Sequence, residues 1–369
     1  MTVRTAGAVV PAERLKSFVV ACLEAAGVTP EDAATVAEVL VSADLRGVSS
    51  HGVARLRRYV EGTHRGKINP RPVLSVVREN AVTALVDADN GLGQPAGVFA
   101  MRMAMDKAET HGVGIVGVRR TNHFGIAGYY ALLALERGLI GAVTSNASPQ
   151  VAPTFAAQPM YGTNPIAVAL PTSEDGGFVL DMATSVVPRG KLERMSREGL
   201  SIPEGWAVDG QGRAVTDLDP LIAGLKSRSG LSLLPLGGAG ERFGGHKGFG
   251  LGLLVDLLCG PLTGSSWGLH VYGERAADLG QWFFALRVDG FRDPAEFRAD
   301  ATALLNEVRN AQRMPGEPRI YIAGEKEAEE SERRRQGGIP LLPKVIRDLA
   351  EVGLLVGVPF ELTEEGGEA

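Results

Sequence analysis

Apolar residues at helical spacing open the chain. Leu15, Phe18, Val19, Cys22 and Leu23 predict a helix over 11–26, stopped at Gly27. Thr29-Pro30-Glu31-Asp32 then supplies an N-cap threonine, a first-position proline and first-turn acids. The apolar face Val36, Val39, Leu40 and Ala43 carries that second helix to about Leu45. Further on the pattern becomes that of strands, at Leu74–Arg78 and Ala81–Asp87. Gly91–Gly97 opens an amphipathic helix to about Thr110, and Gly114–Val118 reads as a buried strand. A helix from Ile126 to Arg137, closed by Gly138, precedes a second buried strand, Leu139–Thr144. Ile166–Leu170 and Phe178–Leu180 predict a hairpin, Val186–Arg197 a helix with Pro188 in its first turn, and Trp206–Gly212 a small hairpin. A glycine-rich run leads into an apolar helix over Leu251–Leu258, followed by a strand, Trp282–Val288, and a helix, Pro294–Gln312. Glu325–Arg335 reads as a charged, solvated helix, Leu341–Glu351 as the last helix, and Glu361–Ala369 as a disordered acidic tail.

Mixed helices and strands over 369 residues give an α/β (α+β) chain long enough for two or three domains. Composition narrows the function classes. With 38 Lys plus Arg against 43 Asp plus Glu, the net charge is −5, and no basic stripe interleaved with aromatics suggests nucleic acid. Cys22 and Cys259 fall in apolar helical patterns, as buried thiols of a reducing compartment do. No CxxC or HExxH spacing points to a metal. Thr5–Val10 is too short for the apolar core of a signal peptide, and Phe249–Leu262 is too short to span a bilayer and carries Asp256. The expectation is a cytoplasmic protein with no membrane or nucleic-acid partner.

Polar chemistry is concentrated in a few places. Asn122 and His123 lie in the turn after the Gly114–Val118 strand, where α/β proteins tend to place ligands, and Gly125 permits close backbone approach. Helix capping is the bland alternative for His123. Asp44–Arg55 packs Arg46, Ser49, Ser50, His51 and Arg55 around Gly47 and Gly52, more than a solvated helix end needs. Gly47-x-Ser49-x-x-Gly52 misses a nucleophile elbow by one place and lacks the strand before it. Gly91–Gly97 has the outline of a dinucleotide fingerprint, but its preceding strand is polar and no acid follows at the required spacing. Asp181 at a strand end is either a helix cap or a site carboxylate. His246 and Lys247, at the mouth of the apolar helix, suit a phosphate or a carboxylate.

Taken together, GVSSHGVAR (Gly47–Arg55), NHFG (Asn122–Gly125), GTNP (Gly162–Pro165), DMATS (Asp181–Ser185), WAVD (Trp206–Asp209), GHKGFG (Gly245–Gly250) and Gly338–Leu341 resemble the second malate/L-lactate dehydrogenase family, in family order over roughly residues 10 to 345. That family includes ureidoglycolate, sulfolactate and diketogulonate enzymes and cyclic-imine carboxylate reductases. The resemblance implies an oxidoreductase that uses NAD or NADP to interconvert a small 2-oxo acid (or cyclic imino acid) and its 2-hydroxy (or amino) acid. It implies a non-Rossmann, largely antiparallel cofactor-binding domain, a mixed helical substrate and dimerisation domain, and a homodimer. The corresponding segments are 1–115 on the substrate side, 116–270 for NAD(P), and 271–369 returning to the first. Carried over, His123 is the proton donor and acceptor, and Ser50, His51 and Asp181 match a relay described in some members. Arg55 is the candidate for the substrate carboxylate, with Arg46 second. Asp181, Met182, Ala183, Lys247 and His246 match cofactor-side positions, with the Ala147 backbone nearby. Phe155–Gln158 and Ser266-Trp267-Gly268 depart from the family pattern, in ways that would reshape the pocket.

Two other classes stay open at this point. One is a catalytically silent binding protein on the same fold. The other is a hydrolase built on Ser50 and His51, disfavoured because sequence neighbours rarely place an Oγ against an imidazole nitrogen in attack geometry.

Overall fold

The computed structural model describes residues 7–197, 199–273 and 276–362. The first part holds β1 (Ala8–Val10), α1 (Ala12–Ala25), α2 (Pro30–Leu45) and α3 (Leu56–His64). Then come β2 (Ser75–Glu79), β3 (Thr83–Asp87), α4 (Gly93–His111), β4 (Val113–Thr121), α5 (Gly128–Glu136), β5 (Ile140–Ser145), β6 (Ile166–Leu170) and β7 (Phe178–Met182). A third group comprises α6 (Arg189–Arg197), β8 (Ala207–Val208), α7 (Leu218–Ser227), β9 (Ser232–Leu233) and α8 (Gly245–Cys259). The chain returns through β10 (Leu279–Leu286), α9 (Pro294–Arg309), α10 (Glu325–Gly337), β11 (Ile339–Leu341) and α11 (Pro343–Val356). From residue 363 the acidic tail lies outside the described residues.

The apolar faces read from the sequence form one helical core, in which Leu15, Val19, Leu23, Val36 and Leu40 pack with Tyr59, Ile346 and Leu349. Thr29 caps α2 as expected, its hydroxyl accepting from Asp32 N at 3.3 Å with Pro30 in the first turn. The N-terminal strand β1 pairs with β11, so the last elements close back on the first.

The second core is a seven-stranded sheet in the order β2-β3-β4-β10-β5-β6-β7. Only β3 and β4 run parallel; the other neighbouring pairs are antiparallel. Its strands come from all three of the segments set out above. α4 and α5 cover one face, against Val116, Val118 and Phe283, and α8 packs on β10 and β5. The ends of β4, β5 and β7 and the starts of β10 and β6 fall at one rim of this sheet, since Leu279 pairs with Thr121, Gln281 with Ser145, and Ile166 with both Thr144 and Met182. That rim carries the site.

A third, smaller core joins α6 and α7 through Leu192, Leu221 and Leu225. The small hairpin forms, with Asp209 N donating to Arg213 O at 2.9 Å, and β8 also pairs with β9. Both cysteines are buried free thiols. Among the described residues, no helix is long and apolar enough to cross a membrane.

Candidate active site

The turn after α2 is clamped from below. Asp44, 1% exposed, accepts a hydrogen bond from Val53 N at 2.7 Å, and its burial pushes the carboxyl up to about 7. A Cβ on Gly52 would overlap that carboxylate, so glycine is needed there. Arg334, reaching in from α10, donates to the Asp44 carbonyl at 2.6 Å. With its base fixed, the turn presents Ser50 and His51 to a cavity of about 600 Å³. Ser50 Oγ and His51 Nδ1 are 2.9 Å apart, and Arg55 Nε donates to the Ser50 carbonyl at 2.6 Å. The neighbour contact disfavoured on sequence grounds is therefore present. It runs through Nδ1, however, and among the described residues no carboxylate holds the other nitrogen of that ring, as a hydrolytic triad needs.

The sheet rim brings His123 to the same cavity. Asn122 anchors the loop by donating to the carbonyls of Asn90 at 3.0 Å and Gly91 at 2.8 Å. Gly125 turns the chain at φ +83°. Tyr59 Oη lies 2.7 Å from His123 Nδ1, and Gly125 N donates to the same nitrogen at 3.3 Å. At the end of β7, Asp181 accepts from Gly128 N at 2.8 Å, so it caps the start of α5 while also lining the cavity. Asn164 of the GTNP stretch accepts from Ala147 N at 3.0 Å and donates to Gly252 O at 2.9 Å, tying the Ser145–Gln150 loop to α8.

Charge divides the cavity. Arg55, Arg58 and Arg189 line one end, where Arg58 donates to the Tyr272 hydroxyl and sits 4.9 Å from its ring centre. Burial and these guanidinium groups push His51 down to about 3 and His123 well below the usual histidine value. Both rings are neutral at pH 7. Glu193 lies 3.4 Å from Arg189. Arg46, Asp181 and Glu327 line another part of the wall. Asp181 opens onto the cavity, yet the surrounding protein displaces water and pushes its carboxyl up to about 6, against the pull of Gly128 N–H and Arg46. Among the described residues, no group of three or more His, Cys, Asp or Glu is arranged to hold a metal.

A sequence model of the family described as malate/L-lactate dehydrogenase matches residues 10–350. The chain belongs to that family. Malate dehydrogenase of Pyrococcus abyssi is 46% identical over 351 residues, 95% of each chain. L-sulfolactate dehydrogenase of Methanocaldococcus jannaschii is 37% identical, over 95% of this chain and 97% of its own. The crystal structure of malate dehydrogenase from Entamoeba histolytica superposes with a TM-score of 0.93 at 36% identity, covering 96% of this chain and 99% of that one. This chain is thus an oxidoreductase of the dehydrogenase class.

Within this dehydrogenase, His123, Ser50, His51, Arg55, Arg46, Asp181, Met182, Ala183 and Ala147 all line the one cavity. The structure does not bring His246 and Lys247 there. α8 begins at Gly245 rather than Leu251, so both residues fall in its first turn with their side chains exposed to solvent, while Gly245 and Gly248 face inward. Gly91–Gly97 is also outside the cavity lining. It is glycine-rich for packing: a Cβ on Gly97 would meet the Tyr130 ring at 2.7 Å, and one on Gly93 would overlap the Asn122 carbonyl. Phe155 and Trp267, the bulky residues of the two divergent stretches, are exposed and away from the lining, so neither reshapes the pocket. Sequence reasoning missed Arg58, Tyr59, Arg189 and Tyr272. The spacing of Arg55, Arg58 and Tyr59 along one helical run was the signal available for the first two.

Proposed function

We propose that the enzyme interconverts a 2-oxo acid bearing a second anionic arm and the corresponding 2-hydroxy acid, using NAD or NADP. The carrying observation is that His123, held at Nδ1, shares a cavity with Arg55, Arg58 and Arg189. His123 hands a proton to, or takes one from, the substrate oxygen. Arg55 is oriented by the Ser50 carbonyl through Nε, which leaves its terminal nitrogens to grip the carboxylate next to the reacting carbon. Ser50 holds His51, and His51 stacks on His123 and keeps that ring in place.

Among the described residues, three guanidinium groups face one nearby carboxylate, Glu193, an excess of positive charge that two negative charges on the substrate would balance. Malate and sulfolactate, the substrates in the names of the relatives, are such dianions. Arg46 is then the alternative carboxylate partner, compensated by Asp181 and Glu327.

A nicotinamide dinucleotide fits the remaining wall. The volume is in the range of small-molecule sites, and the Ser145–Gln150 loop and Asp181-Met182-Ala183 offer small side chains and backbone groups. When bound, it supplies or accepts the hydride. Ala147, Asp181, Met182 and Ala183 are the residues assigned to hold it.

Reduced cofactor absorbance followed with oxaloacetate, sulfopyruvate, pyruvate and a cyclic imine tests the reading. Turnover favouring the dianions supports it. Equal use of pyruvate removes the second arm, and no turnover together with no cofactor binding would leave the catalytically silent binding protein in its place.

A homodimer working in the cytoplasm completes the proposal. α8 exposes Leu251, Leu253, Leu254 and Leu257, and an apolar helix face of that size calls for cover, here by a second copy. Sedimentation at the monomer mass would overturn the dimer.

A further inference from the structure

The proton step proposed for His123, on which this inference rests, also involves the other nitrogen of the ring. Gly125 N–H can only donate, and it points at Nδ1 alongside the Tyr59 hydroxyl. Nδ1 is therefore an acceptor, and the proton of the neutral ring sits on Nε2. Among the described residues Nε2 has no hydrogen-bond partner, so it is the nitrogen left for the substrate.

A neutral imidazole that gives away its Nε2 proton becomes an imidazolate unless Nδ1 gains a proton in the same motion. Prior charging of the ring would avoid this, but its surroundings oppose a cation. Arg58 faces it from α3, Arg55 from the turn before α3, Arg189 from α6, and His51 is stacked at 5.4 Å. The acidic group on Nδ1 is Tyr59. It is fully buried and absent from the cavity lining, so its hydroxyl serves the histidine rather than the substrate.

We propose that Tyr59 is the proton reserve of His123: as Nε2–H passes its proton to the substrate oxygen, the Tyr59 hydroxyl passes its own to Nδ1. In reduction the carbonyl carbon receives the hydride with its electron pair, the π pair moves to oxygen, and that oxygen takes the Nε2 proton. Nδ1 takes the phenol proton, and a phenolate remains near Arg55 and Arg58. After product leaves, Nε2 takes a proton from water in the cavity, and Nδ1 returns its proton to Tyr59. Oxidation follows the same path backwards. Burial pushes Tyr59 up to about 12, but a phenol in that range remains a stronger acid than the alcohol being made, so the transfer runs downhill. Tyr59 acts through His123 and is a positioning residue.

Tyr59→Phe removes the hydroxyl and keeps the ring. Single-turnover reduction of oxaloacetate, followed between about pH 8 and 10, above the ranges in which Asp181 and Asp44 titrate, reads the chemical step. The wild-type rate is expected to stay level, because neither His123 nor Tyr59 titrates there. The variant is expected to be about 100-fold slower at the alkaline end and to fall close to tenfold per pH unit, since His123 must then be charged beforehand. In mixtures of light and heavy water the wild-type rate should curve, with two protons in motion, and the variant rate should be linear. A level profile in the variant, or a wild-type rate that already falls across that range, overturns the proposal. Histidine-selective 15N NMR of the wild type without substrate gives a second reading, independent of how the variant folds. His123 protonated at Nδ1 overturns the relay, and Nε2–H supports it. Absence of wild-type turnover with every 2-oxo acid would instead sink the functional reading, leaving the NMR result to judge the Tyr59–His123 pair.

Discussion

The rings of His51 and His123 lie 5.4 Å apart with their planes 19° from parallel, so one imidazole is the wall of the other. Two stacked cations among three arginines would repel, and both rings are held neutral. The contact orients His123, the residue to which the proposed function gives the proton. His123→Ala is therefore expected to lower kcat by about 100-fold or more, with the cofactor Kd unchanged. His51→Ala should cost less. Steady-state kinetics with cofactor titration checks both, and an unchanged kcat in His123→Ala would make that residue structural.

Arg189 and Arg55 are expected to separate in their effects. Arg55→Lys keeps charge and loses the planar fork, so KM should rise by about tenfold or more for every 2-oxo acid. Arg189→Met should raise KM for oxaloacetate by a similar factor and leave pyruvate nearly untouched. If both acids suffer equally from Arg189→Met, the second anionic arm does not bind there.

Lys247 gives a sharper test of the cavity wall. Its side chain is exposed on the first turn of α8, so Lys247→Ala should leave cofactor Kd within about twofold of wild type. Asp181→Ala should weaken cofactor binding measurably, since Asp181 lines the cavity and holds the start of α5. Fluorescence titration compares the two. A loss on the order of 1.5–3 kcal/mol for Lys247→Ala, the scale of a hydrogen bond to a charged group, would mean that α8 closes over the ligand.

Asp44 predicts a pH dependence of stability. Its carboxyl is raised from 3.8 to about 7 in the fold. Between those values the folded chain binds the extra proton, so this group's contribution to stability falls as pH rises from about 4 to 7 and then levels off. Asp44→Asn keeps an acceptor for Val53 N–H without the charge. The variant's Tm should gain on wild type across that range, by about 1–2 °C for each kcal/mol involved. Calorimetry at several pH values tests it, and a gap that narrows with rising pH contradicts the sign.

Much of this site was legible in the sequence, because its residues sit in short stretches whose backbone does the positioning. Thr29, Gly125 and the turn around Gly52 act locally, and local rules read them. Long-range partners were not legible. Tyr59 belongs to an apolar helix face, and only the fold places its hydroxyl on His123. α7 was not predicted: its apolar face is short, Asp217 caps it, and Leu221 and Leu225 are buried only once the third core forms. Glycines misplaced the start of α8, where Gly248 is required because a Cβ would overlap Leu236. The charged α10 is more than a solvated face: Arg334 bonds the Asp44 carbonyl and Glu327 lines the cavity.

β10 lies between β4 and β5 in the sheet, although more than a hundred residues of chain separate it from either strand. β4 leads into the His123 loop and β5 into the Ser145–Gln150 loop, so the two sides of the cleft are joined edge to edge only through β10. On the ribosome, those two strands emerge early and wait, each with one unpaired edge, until residues 279–286 arrive. Closure of so long a loop is slow, and exposed strand edges invite pairing with other chains in the interval. A chain ending before Leu279 should therefore accumulate as an aggregation-prone species without a formed cleft, even though it carries His51, His123 and the arginines Arg55, Arg58 and Arg189 of the cavity wall.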